Sequence, residues 1–173
     1  MLHENLSFPI GRFTEPATYS SETIASYIAQ IASLPQRLEA ITAEMTEEQL
    51  GTPYRPDGWT ARQVVHHIAD SHINSYTRFK LALTEDNPAI RPYDEVAWAK
   101  LPDGKSAPIE SSLNLISALH KRWALVLQQL DSVQWQRTFF HPASKDIWRL
   151  EYALAFYAWH GEHHLNHIKI SAQ

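Results

Sequence analysis

The chain has 173 residues and a mass of 19.8 kDa, is 44% hydrophobic and 20% charged, and carries a formal charge of −4. That length supports one domain with a real core, and residues 1–173 read as a single domain because no repeat, low-complexity tract or Gly/Ser linker divides them. Scattered Lys and Arg form no basic stripe of the kind that nucleic-acid binding needs, and the lack of cysteine excludes disulfides, thiolate zinc sites and a cysteine nucleophile.

Met1 to Arg12 lacks a basic start followed by an apolar run, so no signal peptide is expected and a cytoplasmic location fits. The leading segment to about residue 20 is punctuated by prolines and is expected to lie extended across the outside of a bundle. A first helix from about Glu22 to Glu44 carries Ile24, Ile28, Ile31, Leu34, Leu38, Ile41 and Met45 on one stripe. Pro35 lies inside it and is expected to kink or break it. Thr46 and Gln49 form a capping box for a short helical turn, and Gly51 to Gly58 reads as loop. Thr60, with Gln63 in the reciprocal position, opens a second helix ending near Glu85, whose buried stripe is Val64, Val65, Ile68, His72, Tyr76, Phe79 and Leu83.

Residues 86–107 form a long connection, with a short amphipathic piece, Asp94 to Lys100, expected to turn Val96 and Trp98 inward. A third helix, about Pro108 to Leu130, uses Leu113, Ile116, His120, Trp123 and Leu127. Arg137 to Arg149 reads as a short β-hairpin around a His-Pro-Ala-Ser turn, followed by a fourth helix from about Leu150 to Ser171. The longest apolar stretch, Tyr152 to Trp159, is far short of a membrane span. The fold class is therefore all-α: a four-helix bundle with one long crossover connection and a short β-hairpin before the last helix.

Ten histidines stand out, four of them in the WHGEHHLNHI run of the last helix. Neutral imidazole binds zinc, nickel, copper or iron without help from thiolates, and two histidines four apart on a helix can grip one ion. At about 100° per residue, Ala153, Phe156, His160, His164 and His167 share one inward face, His163 lies at its edge, and Glu162 and Asn166 point away. The inward pair is His160 and His164, with His167 in reserve. A single buried histidine is usually a hydrogen-bonded core residue; three stacked on one face must each be desolvated and partnered, which favours a metal. The pattern is neither His-Glu-x-x-His nor its inverse, and no helix carries the Glu-x-x-His of di-iron bundles. A third ligand must come from another helix, and periodicity leaves His66, His67, His72 and His120 open.

The blocks FPIGRF, PYRPDGWTARQVVHHIADSHINSYTRFK, AIRPYDEVAW and YAWHGEHHLNHI resemble the YfiT branch of the DinB-like superfamily over essentially the whole chain. The resemblance implies a four-helix bundle whose metal ligands are a histidine eight residues after a helix-opening tryptophan, here His67 after Trp59, and the ends of a His-x-x-x-His, here His160 and His164. It implies one divalent transition metal per chain, zinc first and nickel also suited to three imidazoles, in a cytoplasmic homodimer acting on a small molecule. Three imidazoles leave a coordination position open, as catalytic sites do. That position serves a hydrolase using a metal-activated water, or a transferase that ionises a low-molecular-weight thiol of the bacillithiol type; a non-catalytic metal-binding bundle is the third reading. Asp70, Ser71, Asn74, Arg78, Tyr93 and Asp94 are polar groups in the matching blocks that could orient ligands or bind substrate. Trp59, Trp98, Trp123 and Trp159 read as core, and no residue is singled out as a general base.

Overall fold

The computed structural model describes residues 6–173. Four long helices dominate it: α1 (Ser21–Thr42), α3 (Ala61–Thr84), α6 (Glu110–Leu127) and α8 (Leu150–Ser171). Short helices α2 (Glu47–Leu50), α4 (Glu95–Trp98), α5 (Pro102–Ser106) and α7 (Ser132–Trp135) punctuate the connections. A hairpin of β1 (Thr138–His141) and β2 (Asp146–Arg149) precedes the last helix, pairing Phe139 with Trp148 and Phe140 with Ile147. None of the described helices is long and apolar enough to cross a membrane.

Local chemistry sets the helix starts. Thr60 accepts from the Gln63 amide at 3.2 Å while the Gln63 side chain takes the Thr60 N–H at 3.0 Å, so two otherwise orphan donors are satisfied at the mouth of α3. The same reciprocal box opens α2 at Thr46 and α7 at Asp131. Packing sets the topology. Both α1 and α3 pack against α6 and α8, which places α1 diagonally across from α3 and α6 diagonally across from α8. The long connection from residue 85 to 109 thus joins neighbours, and the two diagonal steps are made by the α2 loop and by the segment carrying α7 and the hairpin.

Two apolar clusters fill the bundle. One joins Ile28, Ile31, Phe79, Trp123, Leu127, Phe139 and Leu154; the other joins Leu34, Leu38, Val64, Val65, Ile68, Ile116, Leu165 and Ile168. On three of the four long helices the chain passes from one cluster to the other across a polar layer: His72 on α3, His120 on α6, and His160 and His164 on α8. Gly161 is part of how that layer closes, since a Cβ there would stand 2.7 Å from a Leu34 methyl of α1.

Two expectations fail on packing grounds. The helix α1 is not broken at Pro35, because Leu34 and Leu38 on either side are buried between α6 and α8 and hold it together. Val96 and Trp98 do not turn inward; they are 47% and 38% exposed. The connection is anchored through polar contacts instead: Gln63 Nε2 donates to the Ala99 carbonyl at 2.8 Å and Arg62 to that of Ala107 at 3.0 Å. Trp98 rests on Tyr93, ring centroids 4.5 Å apart.

Candidate metal centre

Periodicity leaves the third histidine to one of four and the family resemblance points to His67; the structure places each of the four. His67 of α3 meets His160 and His164 of α8; all three are buried, and their ligating nitrogens lie within 4.8 Å of one another, close enough to hold a metal ion. His67 Nε2 and His160 Nε2 are 3.3 Å apart. A tetrahedral ion with spokes of about 2.0–2.1 Å needs an edge of about 3.3 Å, so this pair fits zinc-like coordination without rearrangement. His66 is engaged elsewhere, accepting from Ser112 Oγ at 2.8 Å and donating to the Ala107 carbonyl at 3.1 Å.

Burial keeps the imidazoles neutral, which is the form that binds metal. Desolvation, with His163 adding to it, pushes His67 down to about 4; desolvation with the neighbouring rings holds His160 and His164 well below the usual histidine range.

The two remaining candidates, His72 and His120, act on the cluster through hydrogen bonds whose direction is fixed. His120 Nδ1 lies 2.6 Å from the Ile31 carbonyl, which can only accept, so the proton is on Nδ1 and Nε2 is bare. His72 Nδ1, 2.8 Å away, must therefore donate to His120 Nε2. His160 Nδ1 in turn donates to His72 Nε2 at 3.2 Å, and the lone pair of His160 is left on Nε2, facing His67. Burial holds His72 well below the usual range and His120 at about 4, so each ring carries a single proton to pass on.

Pro35 supplies the end of this chain. Its ring nitrogen has no hydrogen, so the helical bond it would have made to the carbonyl four residues back, that of Ile31, is missing. The sequence reads Pro35 as a helix defect; in the fold its freed carbonyl receives His120.

A second chain serves His164. His167 Nε2 donates to the Leu6 carbonyl at 3.1 Å, which leaves its Nδ1 bare to accept from His164 Nδ1 at 3.3 Å and puts the His164 lone pair on Nε2. His163, His164 and His167 also lie close enough to hold an ion. The bond between His164 Nδ1 and His167 Nδ1 ties up two nitrogens of that second group, so the first keeps the free lone pairs. His163 is stacked on Trp159 at 4.6 Å.

The triad opens into a cavity of 620 Å³ walled by Phe8, Tyr54, Trp59, Phe156 and Trp159, with Glu95 and Val96 at its edge. Trp159 thus lines the cavity rather than the core, Trp59 lines it while packing against the second apolar cluster, and Trp123 is fully buried as expected. A smaller cavity of 230 Å³ shares Glu95, Phe156 and His160 with it and is lined by Ser71, Arg78, Tyr93, His141 and Tyr157. Burial and Asp94 raise the Glu95 carboxyl above its ordinary range.

The other polar candidates divide. Ser71 Oγ is 3.4 Å from His160 Nε2, and Arg78 and Tyr93 line the smaller cavity. Asp94 caps α4 by accepting from the Ala97 amide at 2.9 Å, Asn74 donates to the Asp70 carbonyl of its own helix at 2.8 Å, and Asp70 faces a separate recess beside Asp103. Glu162 points away from the cluster and forms a two-pronged ion pair with Arg37 of α1. Sequence reasoning missed Glu95, His141, Tyr157 and Phe8. Two of them follow or precede named residues by one step, but no periodicity brings the hairpin or the leading segment to the face of α8.

A helical bundle with a buried triad of imidazoles beside an open cavity is a recognisable class, and the chain belongs to the DinB superfamily, whose family model matches residues 30–168. YfiT of Bacillus subtilis, which bears the name "putative metal-dependent hydrolase", is 50% identical over 97% of this chain and 94% of its own length. A protein of Bacillus mycoides with the same naming is 48% identical over 95% of this chain and 94% of its own. The solved structure of B. subtilis YfiT, described as a probable metal-dependent hydrolase with an unusual four-helix bundle topology, superposes with a TM-score of 0.93, covering 95% of this chain and 94% of that one. The bundle and the hairpin before its last helix agree with that fold.

Proposed function

We propose that this protein is a metal-dependent hydrolase of a small molecule, in which His67, His160 and His164 hold one divalent transition ion, zinc first and nickel second. The observation that carries the reading is the 3.3 Å approach of His67 Nε2 and His160 Nε2 at the wall of a 620 Å³ cavity. The naming of its relatives points the same way.

Held by His67, His160 and His164, the ion would supply Lewis acidity and would lower the pKa of water toward neutrality. The protein does the rest. His72 and His120 hold His160 in the one tautomer that presents Nε2, and His167 does so for His164. Trp59, Phe156 and Trp159 keep bulk water from much of the cavity wall. Glu95, at the junction of the two cavities, is the acid placed to take a proton and to return it to a leaving group.

The test is a screen of the zinc- and nickel-loaded protein against esters and amides, each with and without an added low-molecular-weight thiol. Metal-dependent hydrolysis without thiol is expected. Conjugation that appears only with thiol would replace the reading by an S-transferase, and stoichiometric metal with no turnover of either kind would leave a metal-binding bundle.

A further inference from the structure

Arg78 is a buried cation without an anion. It is 7% exposed, its Nη1 donates to the Tyr157 hydroxyl at 3.0 Å, and its Nε is buried with no partner at all. The described ion pairs use Arg37, Arg62 and Arg149, and none reaches Arg78. Glu95 lines the same cavity yet makes no ion pair with it. A guanidinium keeps its charge, and a charge removed from water demands an opposite charge or a full set of acceptors. A phenol oxygen supplies neither in full.

The cavity beside it is furnished to complete the pairing. His141 of β1 lines it with its ring stacked on Trp148, centroids 5.3 Å apart at 22°. The Ser144 amide donates to His141 Nδ1 at 3.4 Å, so the imidazole proton sits on Nε2 and is available as a donor. Desolvation and the nearby Arg78 lower the pKa of this ring, against a backbone hydrogen bond and Asp146, which raise it. Tyr93 and Ser71 add hydroxyls. At 230 Å³ the space is smaller than the roughly 300–1,000 Å³ of pockets for drug-sized ligands, so it suits an end group rather than a whole molecule. Because His160 belongs to its lining as well as to the triad, a ligand anchored there extends over the metal position.

We propose that Arg78 and His141 form an anion-binding subsite that takes a carboxylate or phosphate group of the substrate and sets the scissile bond over the His67–His160–His164 cluster. This rests on the hydrolase reading for the word substrate, but the subsite stands or falls by itself. The hydrolase then acts on small anionic esters or amides and not on neutral ones.

The experiment is a binding titration of the full chain, zinc-loaded and metal-stripped in parallel, with inorganic phosphate, succinate and, as the uncharged control, succinamide. One anion is expected to saturate at one per chain in both forms, to shift the Arg78 Nε–H resonance of the wild-type protein, and to bind about tenfold or more weakly to Arg78→Gln. Which of phosphate and succinate saturates names the group. Saturation only in the zinc-loaded form would place the anion on the ion, and an unmoved Arg78 resonance or equal binding of succinamide would equally overturn the subsite. The resonance needs no variant, so the outcome holds even if Arg78→Gln fails to fold. Anion binding without hydrolysis of any ester would sink the hydrolase reading and leave the subsite; hydrolysis without anion binding would do the reverse.

Discussion

Two sets of buried histidines lie side by side in the bundle, and almost every bulk property fails to separate them. His67, His160 and His164 converge on a cavity; His72 and His120 sit next to them in the same polar layer, no less buried and held just as neutral. What differs is the fate of each nitrogen. In His72 and His120 all four ring nitrogens are spent on hydrogen bonds that end at a main-chain carbonyl. In His160 and His164 the same bookkeeping leaves one lone pair over on Nε2, and both residues line the cavity. Burial and a depressed pKa mark a histidine as scaffolded; only the count of donors and acceptors separates a candidate ligand from its support.

The largest expected effect breaks the first set. His67→Ala, His160→Ala or His164→Ala should each lower zinc affinity by well over about a hundredfold, more than loss of a supporting hydrogen bond costs. Chelator competition checks it, and a variant of any of the three that keeps stoichiometric tight metal would remove that residue from the site.

The second set is tested by its support role. His120→Phe should weaken zinc about 10- to 100-fold while every ligand remains in place, and ¹⁵N spectra of the imidazoles should show His160 losing its preference for the Nδ1 proton. Pro35→Ala is the finer probe, because it returns an N–H to compete for the Ile31 carbonyl. A carbonyl has two lone pairs, so the loss of metal affinity should be only a few-fold. Helix propensity favours Ala over Pro by up to about 3 kcal/mol, so thermal stability should rise. Stability and affinity moving in opposite directions is the result sought; both unchanged would mean that the carbonyl plays no part.

The smallest effect concerns a group that burial perturbs in the other sense. Desolvation and Asp103 push the Asp70 carboxyl up to about 6. An acid whose folded pKa lies above its unfolded value binds its proton more tightly in the native state, so stability is greatest below the unfolded value near 4 and is lost as pH rises through 6. Asp70→Asn should therefore stabilise the fold at pH 7.5 by about 1 kcal/mol, discounted for partial exposure, with no gain near pH 4. Denaturant unfolding at the two pH values measures this. A gain of equal size at both would place its cause outside the carboxyl charge.

Much of this was legible in the sequence. Caps at Thr46 and Thr60, the apolar stripes and the hairpin follow from local rules, and the inward pairing of His160 with His164 follows from helical spacing. Periodicity says which way a side chain points from its own helix and nothing about what stands opposite. That is why periodicity cannot separate His66, His67, His72 and His120, and only the resemblance, through the Trp59-to-His67 spacing, points to His67 before α3 is set against α8. It is also why Val96 and Trp98 were expected inside: an amphipathic turn looks the same whether its apolar side meets a core or the rim of a cavity. Arg78 was visible as a polar residue on α3, but its lack of an anion is a property of the whole neighbourhood.

Pro35 has a consequence for anyone who would move this centre into another protein. Copying His67, His160 and His164 onto a regular bundle would transplant the proposed ligands without what orients them, since a mid-helix carbonyl already bonded within its helix is a poorer acceptor than the one Pro35 frees. The portable unit is larger: the three proposed ligands, the two imidazoles behind His160, His167 behind His164, and a proline on a helix that contributes none of the three. A designer scoring helices for regularity would delete that proline first.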